Sequence, residues 1–128
     1  MKIGKAAQLS GLTVKTVRYY ADIKIVSPAV NSQTGYRDYS DSDVAKLHFV
    51  GKARQFNFST EECRELLSLY EDQARPSREV KKLTLAKIAH IEEKMQELAS
   101  LKRQLATLAD KCSGDDRPNC PIIEELSK

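Results

Sequence analysis

The sequence predicts a mainly α-helical chain made of a small head, a long helical stalk and a short cysteine-bearing tail. Three observations carry this prediction. From Glu79 to Asp110 there is neither Gly nor Pro, and Ala, Leu, Glu, Lys and Gln dominate. The first 22 residues hold two short helical patterns around Gly11. Beyond the stalk, seven residues separate Cys112 from Cys120, Gly114 and Pro118 among them.

Taken in order, Ile3, Ala7, Leu9 and Leu12 give a first helix an apolar side, and Gly11 marks its break. Thr13 is the expected N-cap of a second helix from Val14 to about Ala21. Ala7, Gly11 and Val17 fall where a helix-turn-helix needs a small residue, a left-handed turn residue and a core anchor. On the outer face of the second helix, Lys15, Arg18 and Tyr19 are candidates for phosphates and base edges. Tyr20 fits either a DNA contact or a core position.

After Pro28, the run Asn31 to Tyr39 alternates polar and aromatic residues around Thr34-Gly35, as in a β-hairpin. A hairpin beside a helix-turn-helix is a wing, and Tyr36 and Arg37 are its candidate DNA contacts; Tyr39 suits the core. Ser40 with Asp43 starts a third helix to about Gln55, with core positions Val44, Leu47, Val50 and Ala53 and a further backbone contact in Arg54. Ser59 with Glu62 is a capping box for a fourth helix to about Tyr70, on which Cys63 reads as a small buried hydrophobe. Asp72 to Ser77 is a polar break containing Pro76, and Ser77 is a candidate N-cap for the stalk. The expected divisions are therefore a head at 1–57, a connector at 58–78, a dimerisation helix at 79–110 and a tail loop at 111–128.

Along the stalk, Ile88, Ile91, Met95, Leu98, Leu101, Leu105 and Leu108 form a coiled-coil seam with one stammer, and Lys87, Glu92, Glu93 and Lys94 mark water-facing positions. No second helix of that length exists to cover the seam, so a homodimer is expected. Charge is uneven: residues 1–57 carry nine Lys/Arg against four Asp/Glu, and residues 58–128 carry twelve against fourteen. A basic head on a neutral-to-acidic stalk suits a polyanion at one end. No stretch reads as a signal peptide or membrane span, so a cytoplasmic protein without membrane partners is expected. Three cysteines argue against a disulfide framework. With no nucleophile–base pair, phosphate loop or paired-carboxylate motif, an enzyme is not expected.

In the tail, Pro121 suits the first position of a short helix, leaving Cys120 at its edge, where the N–H groups of Ile122 and Ile123 can stabilise a thiolate. Two sulfurs without an imidazole undersupply zinc. Soft thiolates favour Cu(I), with Ag(I) or Au(I) as substitutes. The net negative charge of such a site could be offset by the short helix and by Lys81 of a partner stalk. A reversible Cys112–Cys120 disulfide is the alternative use of the same pair.

Three ordered motifs resemble the MerR family of bacterial regulators. They are Leu12-Thr13-x-x-Thr16-Val17-Arg18-Tyr19-Tyr20, then Gly35-Tyr36-Arg37-x-Tyr39, then Ala53-Arg54-x-x-x-Phe58-Ser59-x-x-Glu62. One departure is that the family's Tyr-Glu-x-x-Gly-Leu run has no Gly here, where Asp22-Ile23-Lys24-Ile25 stands instead. The Cys112–Cys120 loop followed by Pro121-Ile122-Ile123-Glu124 is similar to the copper(I)-responsive efflux regulators of that family. The resemblance implies a winged helix-turn-helix that holds double-stranded promoter DNA, antiparallel stalks, and a metal loop near the partner's head. It also implies activation by metal-dependent DNA distortion, so that RNA polymerase engages a promoter with an over-long spacer. Divalent-metal sensors of the family carry a third Cys just before the stalk. Ser77 stands at that place, which implies a site lined by Ser77 and Lys81 with a monovalent preference. A regulator switched by thiol oxidation is the alternative.

Overall fold

A computed structural model describes all 128 residues, with helices α1 (Ile3–Ser10), α2 (Val14–Asp22), α3 (Asp41–Gln55), α4 (Thr60–Glu71), α5 (Ser77–Lys111) and α6 (Pro121–Leu126). Two short strands, β1 (Ala29–Val30) and β2 (Arg37–Asp38), pair antiparallel with Ala29 opposite Asp38 and Val30 opposite Arg37. The chain forms two compact units, Met1–Val80 and Lys81–Lys128.

In the first unit, α2 lies on α1, α1 on α3, and α3 on α4. Ala6, Ala7, Val17, Val26, Tyr39, Leu47, Val50, Cys63 and Leu67 fill the interior between them. Each fully buried Val or Leu contributes about 1.5–3 kcal/mol of apolar transfer. Side-chain caps begin three of these helices. The Thr13 side chain accepts from the Thr16 N–H, and Ser40 with Asp43 and Ser59 with Glu62 form complete capping boxes.

The ends of α1, α2 and α3 follow one rule. Gly11, Lys24 and Asn57 adopt left-handed backbone, with φ of 77°, 61° and 69°. At each, the next residue's N–H turns back to the helix: Leu12 to the Ala7 carbonyl, Ile25 to Tyr20, and Phe58 to Ala53. These are Schellman closures, in which the left-handed residue satisfies otherwise orphaned carbonyls. Gly adopts that conformation without strain; Lys24 does so against its Cβ.

The wing differs from the expected hairpin. Its strands begin two residues earlier, at Ala29, and are only two residues long. The reason is local: the Asn31 side chain accepts from the Gln33 and Thr34 N–H groups, and its carbonyl accepts from Gly35, so the residues expected to extend the strands are used in the turn. Leu9, expected on the apolar side of α1, is 52% exposed instead. The α1 face that meets α2 and α3 runs through Ala6, Ala7 and Ser10.

The second unit is most of α5 together with the tail. At 35 residues, α5 is about 50 Å long. It starts at Ser77 itself, so Ser77 is the first helical residue and not the cap outside it. Met95 and Leu98 are each 64% exposed, and Ile88, Leu101 and Leu105 are exposed beside them. The seam is thus uncovered within the chain. Lys87, expected to face water, is only 7% exposed, a correction that periodicity could not foresee. No helix is long and apolar enough to cross a membrane.

Candidate nucleic-acid interface and cysteine site

The exposed face of α2 presents Lys15, Arg18 and Tyr19, because Val17 and Tyr20 turn inward and fix the helix's rotation. Tyr20 is 8% exposed and takes the core alternative; burial pushes its hydroxyl pKa up, with Arg54 acting against it. Tyr39 is also in the core, and burial raises its pKa while Arg37 opposes the rise. Tyr36 is 70% exposed on the wing.

Arg37 does not hang free. Its Nη2 donates to Asp22 Oδ1 at 2.8 Å, tying the wing to the end of α2, and this hydrogen bond raises the guanidinium pKa. An open groove of about 660 Å³ lies alongside, lined by Lys2, Ile3, Arg18, Gly35, Tyr36 and Arg37. Three cations on one concave surface suit a run of phosphates. The sequence does not announce Lys2 as a lining residue of this groove, or Asp22 as the anchor of Arg37. Lys2 signals itself only as one more basic residue, and Asp22 as a helix-end carboxylate. Arg54 is exposed on α3, where its Nη1 donates to the Phe58 carbonyl at 2.7 Å and helps close that helix.

In the second unit the tail brings Cys112 and Cys120 together, with sulfurs 3.7 Å apart and both thiols free. Pro121 opens α6 and leaves Cys120 as its N-cap residue. The Cys120 pKa is lowered, first by the Ile123 N–H, against a smaller desolvation effect, then by the Cys112 thiol and the Ile122 N–H; Glu124 acts the other way. Asp115 is a poor additional ligand because it is already occupied: Arg117 donates to it through Nε at 2.9 Å, through Nη2 at 2.7 Å and through its backbone N–H. That fork holds the Asp115 carboxyl below its usual range and braces the loop between the cysteines. Nowhere in the chain do three His, Cys, Asp or Glu side chains gather as a metal-binding group. Lys81 is exposed on the first turns of α5.

Comparison with known proteins bears on both features. A family model described as MerR HTH family regulatory protein matches residues 1–69, and one described as MerR, DNA binding matches residues 44–108. The HTH-type transcriptional regulator HmrR of Rhizobium leguminosarum is 49% identical over 99% of this chain and 98% of its own length. The HTH-type transcriptional regulator CueR of Salmonella typhimurium is 44% identical over 99% of this chain and 92% of its own. Among solved structures, the transcription regulator PbrR691 from Ralstonia metallidurans in complex with lead(II) superposes with a TM-score of 0.83 at 29% identity, covering 98% of each chain.

Proposed function

The chain belongs to the MerR family of transcriptional regulators, and within it we propose a homodimeric, Cu(I)-sensing activator of copper-efflux promoters. Its relatives are regulators and not enzymes, and this chain is a regulator too.

The observation that carries the metal reading is the pair of free sulfurs 3.7 Å apart at the start of α6. With a metal–sulfur bond of about 2.3 Å, one ion touches both sulfurs whenever they stand within about 4.6 Å. A linear two-sulfur arrangement needs them to part by about one ångström more, a small adjustment for a loop. Cys112 and Cys120 would be the ligands. The two backbone N–H groups that lower the Cys120 pKa favour the thiolate a soft monovalent ion requires. Zinc would want two further ligands, and the Asp115 carboxylate is engaged by Arg117. The name of the CueR relative is consistent with copper, and the lead(II) complex of the 29% identical neighbour marks divalent sensing as the competing specificity within the same fold. Ser77 and Lys81, supplied by a partner copy, would line the site.

In this reading Lys15, Arg18, Tyr19, Tyr36, Arg37 and Arg54 hold double-stranded promoter DNA. The metal alters the DNA's shape so that RNA polymerase engages the promoter, which places the effect of metal in deformation energy rather than in affinity. Ag(I) or Au(I) would act in place of Cu(I).

The test is anaerobic titration of the reduced chain with Cu(I), Ag(I) and Zn(II) against a competing chelator. One Cu(I) per protomer, lost in Cys112→Ser and in Cys120→Ser, is expected, with DNA binding retained and copper-dependent activation abolished. Equal uptake of Zn(II) would replace the monovalent reading with a divalent one. The contact between the thiols supports a second reading, a redox switch through a Cys112–Cys120 disulfide. Loss of two free thiols on peroxide treatment, with no tight copper, would establish that instead.

A further inference from the structure

Arg64 sits on α4, the helix that leads toward the stalk, yet its guanidinium serves the end of α2. Nη2 donates to the Ile23 carbonyl, Nη1 to the Lys24 carbonyl at 3.3 Å, and Nε to Glu61 at 3.3 Å. The guanidinium is therefore committed on three sides, to its own helix and to two carbonyls some 40 residues earlier. Those carbonyls lie at the left-handed turn that closes α2, just before Ile25 and Val26 enter the core and the chain passes to β1. A cation at a helix C-terminus complements its dipole, and charge-assisted bonds to carbonyls are stronger than neutral ones. The most extensive helix contacts run from α2 to α1, α1 to α3 and α3 to α4. Arg64 adds a polar tie from α4 to the turn that closes α2.

We propose that Arg64 is a positioning residue for DNA recognition, setting the orientation of α2 and the start of the wing relative to α4 through the carbonyls of Ile23 and Lys24. It touches no DNA itself. Its effect is on where Lys15, Arg18 and Tyr19, and then Tyr36 and Arg37, meet the duplex. The proposal rests on the DNA binding of the family and not on the metal assigned to the tail, so the outcome of the copper titration does not bear on it.

The test compares Arg64→Ala, Arg64→Lys and Lys24→Gly with the double variant Lys24→Gly/Arg64→Ala in the full-length chain. The probe is a duplex enriched by the wild-type chain from a random-sequence pool, with an unselected duplex as reference. Lys24→Gly removes the strain at the turn, so the double variant separates positioning from stability. The expected result is a double variant that melts below Lys24→Gly, having lost the clamp, yet is fully folded at the assay temperature and binds the selected duplex about tenfold more weakly than Lys24→Gly, the loss that one disturbed base contact brings. Affinity for the unselected duplex and the salt slope should stay as in Lys24→Gly, and Arg64→Lys, which keeps a cation and donors, should recover part of the specificity. Four results would each overturn the proposal. They are a double variant that binds like Lys24→Gly, equal losses on both duplexes, a salt slope reduced by about one, which marks a direct phosphate contact, and a double variant that does not fold, which would assign Arg64 to stability.

Discussion

Replacing Lys24 by Gly should stabilise the head, and the size of the gain can be worked from the turn. Lys24 stands at φ 61° in the Schellman closure of α2, with its N–H donating to the Ala21 carbonyl at 3.1 Å and the following Ile25 N–H to Tyr20 at 2.9 Å. A side-chain-bearing residue there costs about 1–2 kcal/mol relative to Gly. Gly returns roughly 0.4–1 kcal/mol of that by loosening the unfolded chain. The Lys24 side chain is exposed, so little packing is lost. The net expectation is a gain of about 0.5–1 kcal/mol. With a urea dependence of about 2 kcal/mol per molar, the midpoint should rise by roughly 0.3–0.5 M. Amide exchange at Ile25 gives a second, local measure, since its protection depends on this closure. Lys24→Ala keeps the strain and should gain nothing, while Lys24→Asn should fall between. A lower midpoint for Lys24→Gly, or identical midpoints for Gly and Ala, would refute a left-handed residue at this turn.

In the metal-free reduced chain, Cys120 should be alkylated at lower pH than in the urea-unfolded chain, with Cys63 protected until unfolding. Because the folded pKa of Cys120 is depressed, its thiolate contributes stability above the unfolded pKa, and this is lost as pH falls through the folded value; equal alkylation profiles in the two states would contradict the assigned N–H contacts. Arg37→Ala should lower the salt slope of duplex binding by about one. It should change stability by less than about 1 kcal/mol, because its pair with Asp22 is half exposed; an unchanged slope would remove Arg37 from the interface. Leu101→Asp, in the middle of the uncovered seam, should convert a dimer to monomers by sedimentation at equal concentration, and a persistent dimer would place the interface elsewhere.

The parts of the fold that the sequence announces are those set by residues close together in the chain. Thr13, the Ser40–Asp43 box and the Ser59–Glu62 box mark helix starts because a cap is satisfied within three residues. The cysteine pair was legible for the same reason, since eight positions with a Gly and a Pro between them can turn back on themselves. What stayed hidden depends on contacts across the chain. Leu9 carries the right period for the interior but faces out, because the small residues Ala6, Ala7 and Ser10 are what let α1 approach its neighbours. Lys87 carries the wrong charge for burial and is buried. The wing contracted to two residue pairs because the Asn31 side chain outcompeted the ladder for its own neighbours' N–H groups.

The Gly missing from the family's pattern shows where local reasoning stops. Its absence leaves open the path from α2 to the wing, and taken alone a Lys there argues for a different turn. The turn is kept, because the free energy that holds it is not local. Ile25 and Val26 beyond it are buried, which fixes where the chain must go next, and Arg64 holds the carbonyls on which the turn closes. The strain of one left-handed lysine, about 1–2 kcal/mol, is within what two buried apolar side chains and a charge-assisted clamp supply. A guanidinium 40 residues later leaves no mark in the periodicity around position 24. A substitution that a local rule scores as a defect is therefore accommodated by an interaction that only the folded head brings together.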